Sequence, residues 1–108
     1  MASSNQYSST QYKDDIQYLI DTKLDDMLTY IKTNTTYTSA TGINVTFDDT
    51  QKKNVFVLND GNGNTVDVSD LGDPTFTGLI DEYNTLDKRY KGTSQAYDVM
   101  FQNQTFSY

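Results

Sequence analysis

The chain has 108 residues, a formal charge of -7 and only 35% apolar residues, with a pI near 4.2 and a mean hydropathy of -0.69. It contains neither Cys nor His, which excludes disulfides, thiolate metal sites, Ser-His-Asp and Cys-His nucleophiles and most transition-metal centres. The few Lys and Arg are scattered, so phosphate recognition is disfavoured and nucleic acid is not an expected partner.

The length fits one domain. Ordinary globular chains are about 45–50% apolar, so this one builds a thin core or completes it with other subunits. No apolar run approaches a membrane span, and "MASSNQYSSTQYK" lacks the basic-then-apolar order of a secretory signal. No membrane partner is expected, and the compartment is cytoplasmic unless the chain resides in a particle.

Residues 1–10 are polar and offer only Tyr7 as an anchor, which predicts an arm that is disordered or ordered by a partner. Residues 11–108 are expected to form a single small α+β domain. In it, Ile16, Leu19, Ile20, Leu24, Met27, Leu28 and Ile31 recur at helical spacing and predict a helix over about 10–33. Ser9 or Thr10 can cap it, with Asp14 and Asp15 in or near its first turn, where negative charge suits the helix dipole. Ile20, Leu24, Met27 and Ile31 follow a 4-3-4 spacing, which suits either the chain's own core or a short seam against another subunit.

"TNTTYTSATG" (33–42) ends that helix. "INVTFDD" then alternates, with Ile43, Val45 and Phe47 on one face, and predicts a half-buried strand. "NVFVLN" and "NTVDVS" follow the same period and complete a three-stranded antiparallel meander. The middle strand is apolar on both faces, with Phe56 and Leu58 on one and Val55 and Val57 on the other, so it is expected at the centre of the sheet.

Asp73 and Pro74 are a helix-start pair. Phe76, Leu79, Ile80, Tyr83, Leu86 and Tyr90 form one stripe after them, predicting a second amphipathic helix that Gly92 ends. The tail "TSQAYDVMFQNQTFSY" fits an extended or a short helical segment, tilted toward extended from Val99 onward.

Five groups of residues are candidates for chemistry. The tip "NDGNGN" (59–64) has side-chain oxygens on Asp60, Asn62 and Asn64, with Asp67 or Asp70 beyond, which together could hold a weak calcium ion. An EF-hand loop begun at Asp60 would need Gly where Thr65 stands and Glu where Leu71 stands, and Asn-Gly and Asp-Gly are hairpin residues, so a turn is the first reading. Asp14-Asp15, Asp25-Asp26 and Asp48-Asp49 are carboxylate pairs without the buried setting that separates catalytic pKa values, and read as solvated surface. Lys52-Lys53 and "DKRYK" (87–91) read the same way. The nine Tyr residues suit interfaces, because each buries area while keeping a polar tip. Asn34, Asn44 and Asn103 open glycosylation triplets, which carry little meaning without a signal peptide.

The hairpin phrase "LNDGNGNTVDVSDLGDP" resembles the hairpins of structural proteins of tailed bacteriophages, including baseplate and fibre-attachment domains. The resemblance spans residues 54–74 and transfers no catalytic residue. It implies a multi-copy virion component whose partners are other virion proteins and copies of itself, with no cofactor. On this reading the partner-facing residues are Tyr7, Tyr12, Ile20, Leu24, Met27, Ile31, Phe101, Phe106 and Tyr108. The alternative is a monomeric acidic module that binds calcium weakly or acts as an inhibitor by imitating DNA. Asp clustered in turns, rather than arrayed at regular spacing, speaks against mimicry.

Overall fold

The computed structural model describes the backbone of residues 9–102 and the side chains of residues 10–92. In chain order it comprises helix α1 (Ser9–Asn34), strands β1 (Gly42–Asp48), β2 (Lys53–Asn59) and β3 (Thr65–Asp67), and helix α2 (Pro74–Gln102). This is the expected α+β architecture: a helix, a three-stranded antiparallel meander and a second helix.

In α1 the predicted apolar stripe faces inward except at Leu19, which is exposed: Ile16, Ile20, Met27 and Ile31 are buried, and Leu24 and Leu28 pack beside them half-buried. Two further details differ from the sequence reading. The helix begins at Ser9, one residue before the expected start, and Asp14 and Asp15 therefore fall in the second turn, outside the reach of the N-terminal dipole. The rest of the arm, Tyr7 included, lies outside the described residues. At the other end the Ile31 carbonyl accepts both the Thr35 amide (3.1 Å) and its hydroxyl (2.6 Å), occupying a carbonyl the helix leaves open.

The sheet has the order β1-β2-β3, with β2 central, as its two apolar faces require. Ile43 opposes Leu58, Val45 opposes Phe56 and Leu58 opposes Val66, so these residues share the face that looks toward the helices. Phe56, Leu58 and Val68 are buried there. Asn44, Thr46, Thr65 and Asp67 occupy the opposite, exposed face. In the β1–β2 turn Lys52 adopts a left-handed φ of 58°, held by its amide on the Asp48 carbonyl (2.7 Å), while the Asp48 carboxylate accepts the amides of Thr50 and Gln51.

At the β2–β3 tip the left-handed residues are Gly61 (φ 82°) and Gly63 (φ 90°), not the neighbouring asparagines. Gly61 has a second reason to be glycine, because a Cβ there would overlap the backbone carbonyl of Ser39. The tip therefore seats against the connection between α1 and β1.

Asp73 opens α2. Its Oδ1 accepts the amides of Thr75 (2.9 Å) and Phe76 (3.3 Å), its Oδ2 accepts the Tyr30 hydroxyl (2.6 Å), and Pro74 takes the first helical position. The helix does not stop at Gly92. Glycine ends a helix by turning left-handed, and Gly92 is not among the positive-φ glycines. Its cost in a helix interior, about 1 kcal/mol relative to Ala, is too small to break a helix by itself. The segment from Val99 is accordingly helical as far as Gln102 rather than extended, and residues beyond lie outside the described ones.

The helices pack antiparallel on one face of the sheet. The Lys13 ammonium lies 5.2 Å from the Tyr90 ring centre, Lys23 meets Glu82 at 2.7 Å, and the Tyr30 and Phe76 rings stack at 6.3 Å. Phe56 on β2 meets Tyr83 on α2 edge-on at 5.2 Å, which anchors the sheet to the helix pair.

Two predictions test this framework. Gly63→Ala carries only the left-handed backbone cost, about 1–2 kcal/mol, because open space surrounds it; Gly61→Ala adds the collision with Ser39 and lowers the melting temperature by clearly more. Equal losses in thermal melts would refute the seated tip.

The Tyr30–Asp73 bond makes stability depend on pH at both extremes. The Tyr30 hydroxyl holds the Asp73 carboxyl below its ordinary 3.8, and the same bond, with some burial, holds Tyr30 above its ordinary 10.0. The contribution is complete between those ordinary values. It is lost as pH falls through the lowered carboxyl value or rises through the raised phenol value. Tyr30→Phe keeps the ring on Phe76 and should melt lower at neutral pH, with a shallower decline toward acid and alkali than the native chain; identical pH profiles would refute the role of the bond.

Candidate interaction surfaces

The outer face of the helix pair carries an open groove of about 450 Å³, bounded on α1 by Leu19, Thr22 and Lys23 and on α2 by Glu82, Leu86 and Arg89. Lys23 spans it, pairing with Glu82 at 2.7 Å and Asp26 at 3.7 Å. Glu82 holds the Lys23 ammonium above its ordinary 10.5, against some desolvation. Leu19, which lines the groove, is 45% exposed, and its neighbour in sequence Tyr18 is 70% exposed. These are large apolar groups on the face of α1 that does not meet the core.

Two clefts of opposite charge flank the ends of β1. Next to Gly42 and Ile43, a cleft of about 310 Å³ is lined by Asp21, Leu24, Asp25 and Leu28 of α1. At the far end of the strand, a cleft of about 500 Å³ lies between Phe47, the β1–β2 turn and α2, lined by Lys52, Lys53, Lys88 and Lys91. Its floor is an amide and carboxylate network: Asn54 Nδ2 donates to Asn84 Oδ1 (2.9 Å) and Asp87 Oδ2 (3.1 Å), and Asp87 also takes Lys91 at 3.0 Å. The Lys91 ammonium sits 4.9 Å from the Phe47 ring centre. Among the described residues Lys52, Lys53 and Lys88 form no ion pair. Half of the chain's eight basic residues thus line one cleft of an otherwise acidic molecule. Sequence reasoning took both basic clusters for solvated surface, because nothing local reveals that a turn and a distant helix will meet.

The residues expected to face a partner divide sharply. Ile20, Met27 and Ile31 are buried in this chain's own core and Leu24 packs against it, so the 4-3-4 seam closes internally and is not a free surface. Tyr12 is half-buried against the same core. Phe101 falls in the last turn of α2, while Tyr7, Phe106 and Tyr108 lie outside the described residues. The large apolar side chains that are exposed among the described residues are Tyr18, Leu19 and Phe47, none of which the sequence reading assigned to an interface.

Two carboxylates of the candidate calcium set are engaged in the local turns. Asp60 Oδ1 already accepts the amides of Asn62 (2.8 Å) and Asn64 (3.1 Å), and the Asp60 amide donates to the Asn64 carbonyl (3.1 Å). Asp67 turns to the Ser69 amide (2.8 Å), the bond that chiefly lowers its pKa. Among the described residues no group of three or more acidic side chains could hold a metal ion, and no helix is long and apolar enough to cross a membrane.

Compared with protein families, curated proteins and solved structures, the chain finds no match.

The geometry makes Asp60 a turn-former. Asp60→Ala should lower the melting temperature equally with and without millimolar Ca²⁺, and calorimetry of the native chain with Ca²⁺ should register no binding heat. A calcium-dependent rise in melting temperature that Asp60→Ala abolishes would reverse this assignment.

Proposed function

We propose that this chain is a non-enzymatic assembly protein, a multi-copy component of a tailed-phage virion that acts in the head, neck, baseplate or fibre attachment by packing against its neighbours. The observation that carries this reading is the exposure of Leu19, which lines the α1–α2 groove, and of its neighbour in sequence, Tyr18. Singly exposed apolar residues are ordinary, but an aromatic next in sequence to an aliphatic side chain that lines an open groove, in a chain with few apolar residues, suits protein contact. The hairpin phrase of residues 54–74 supports the virion setting. The lack of His and Cys and the use of Asp73 and Asp60 as caps and turn-formers support a role without catalysis.

Sedimentation velocity over a concentration series tests the assembly role. The native chain should shift to larger species from low to high micromolar concentration. Burying one Leu or Phe side chain contributes about 1.5–3 kcal/mol, and about 1.4 kcal/mol is tenfold in affinity. Tyr18→Ser with Leu19→Ser should therefore weaken association by roughly tenfold or more without lowering the melting temperature. A native chain that stays monomeric at high micromolar concentration overturns the multi-copy reading. Peptide mass spectrometry of purified particles tests the virion setting.

A further inference from the structure

We propose that β1 is a dimerisation edge at which a second copy of this chain pairs its own β1 antiparallel, continuing the sheet across a two-fold axis through Val45. The inference rests on the reading of the chain as a multi-copy assembly protein and names the contact that joins two copies.

The hydrogen-bond pattern sets the geometry. The Phe56 carbonyl accepts the Val68 amide (2.9 Å) and the Phe56 amide donates to the Ser69 hydroxyl (2.8 Å), so both polar groups of Phe56 point toward the β3 side. An antiparallel ladder alternates strictly, and Val45 opposes Phe56. The amides and carbonyls of Ile43, Val45 and Phe47 therefore point away from β2, along the outer side of β1. In the order β1-β2-β3 that side has no strand among the described residues.

Natural sheets guard such edges with short strands, Pro, Lys or bulges. This edge strand is seven residues long and reads GINVTFD, with neither Pro nor Lys and no charge before its last residue.

Charge and shape select the partner. The Gly42 end is flanked by Asp21 and Asp25, and the Asp48 end by the lysine cleft, whose four ammonium groups outnumber the carboxylates of Asp48, Asp49 and Asp87 there. Antiparallel pairing sets acid against base at both ends at once, whereas parallel pairing sets like against like. In the register centred on Val45, each Ile43 opposes the other copy's Phe47. Phe47 is 44% exposed at present, and it would gain an apolar cross-strand neighbour on the core face. Asn44 and Thr46 would pair with each other on the polar face. The arrangement is isologous and closes at two copies.

The chain lacks Cys, so one introduced thiol reports the axis. Opposed Val45 Cα atoms in a bonded pair would lie about 5.5 Å apart, within disulfide reach. Opposed Phe47 atoms would lie four residues out of line, about 13 Å. Mild oxidation of full-length Val45→Cys should give a covalent dimer on gel electrophoresis, and Phe47→Cys should not. In sedimentation, Lys52→Glu with Lys53→Glu should weaken the dimer at least tenfold, and adding Asp21→Lys with Asp25→Lys should restore it. Val45→Pro removes only an outward amide, a substitution that edge strands tolerate; it should yield a folded monomer by circular dichroism. If it fails to fold, the cross-linking and charge-exchange results decide. Oligomers that persist in the lysine variants, cross-link through Phe47→Cys and dissociate only with Tyr18→Ser and Leu19→Ser would overturn edge pairing and leave the assembly reading standing. A monomer under all conditions would overturn both.

Discussion

Asp73 uses each carboxylate oxygen for a different task, and the fold depends on both. One oxygen takes the free amides at the start of α2, and the other takes the hydroxyl of Tyr30 near the end of α1. A cap alone would start a helix without saying where it lies. The tyrosine bond aligns the two helices end to end, and the stacked Tyr30 and Phe76 rings follow from the same alignment. With that end fixed, the antiparallel run brings Lys23 to Glu82 and Lys13 to Tyr90. The groove lies between the helices so aligned.

The thin core explains why so few residues hold so much. The largest fully buried side chains are Phe56, Phe76, Met27, Ile31, Leu58 and Val68, drawn from both helices, the central strand and the segment after β3. A domain of this size has marginal stability, of about 5–15 kcal/mol. Each large buried side chain contributes about 1.5–3 kcal/mol, so few can be diverted to other surfaces. That constraint assigns most of the α1 stripe to the interior and leaves Leu19, with Tyr18 and Phe47, as the exposed remainder.

Much of this was legible in the sequence. Helical and two-residue periods located α1, the meander and α2, and apolar residues on both faces of β2 placed it at the centre. Asp73-Pro74 marked a helix start. What could not be read follows from ambiguities of local code. Ile20, Leu24, Met27 and Ile31 have the same spacing whether they meet their own chain or another. Gly92 would stop a helix only by turning left-handed, and a sequence does not state φ. In "NDGNGN" both Asn and Gly tolerate the left-handed region, and only the three-dimensional path shows that Gly61 must also clear Ser39. The lysine cleft depends on the β1–β2 turn meeting the second half of α2, a contact with no local signature.

The chain order also has a temporal meaning. The apolar stripe of α1 finds its main cover in α2, and α2 leaves a ribosome only after α1 and the whole meander. Until then Met27 and Ile31 lack their final neighbours, and the meander has only one of its two helical covers. Long-range closure of this kind slows folding and prolongs the exposure of apolar surface. A nascent chain paused between β3 and α2 would therefore be at its most vulnerable to clumping or to capture by a chaperone, and emergence of the Asp73 turn would relieve it.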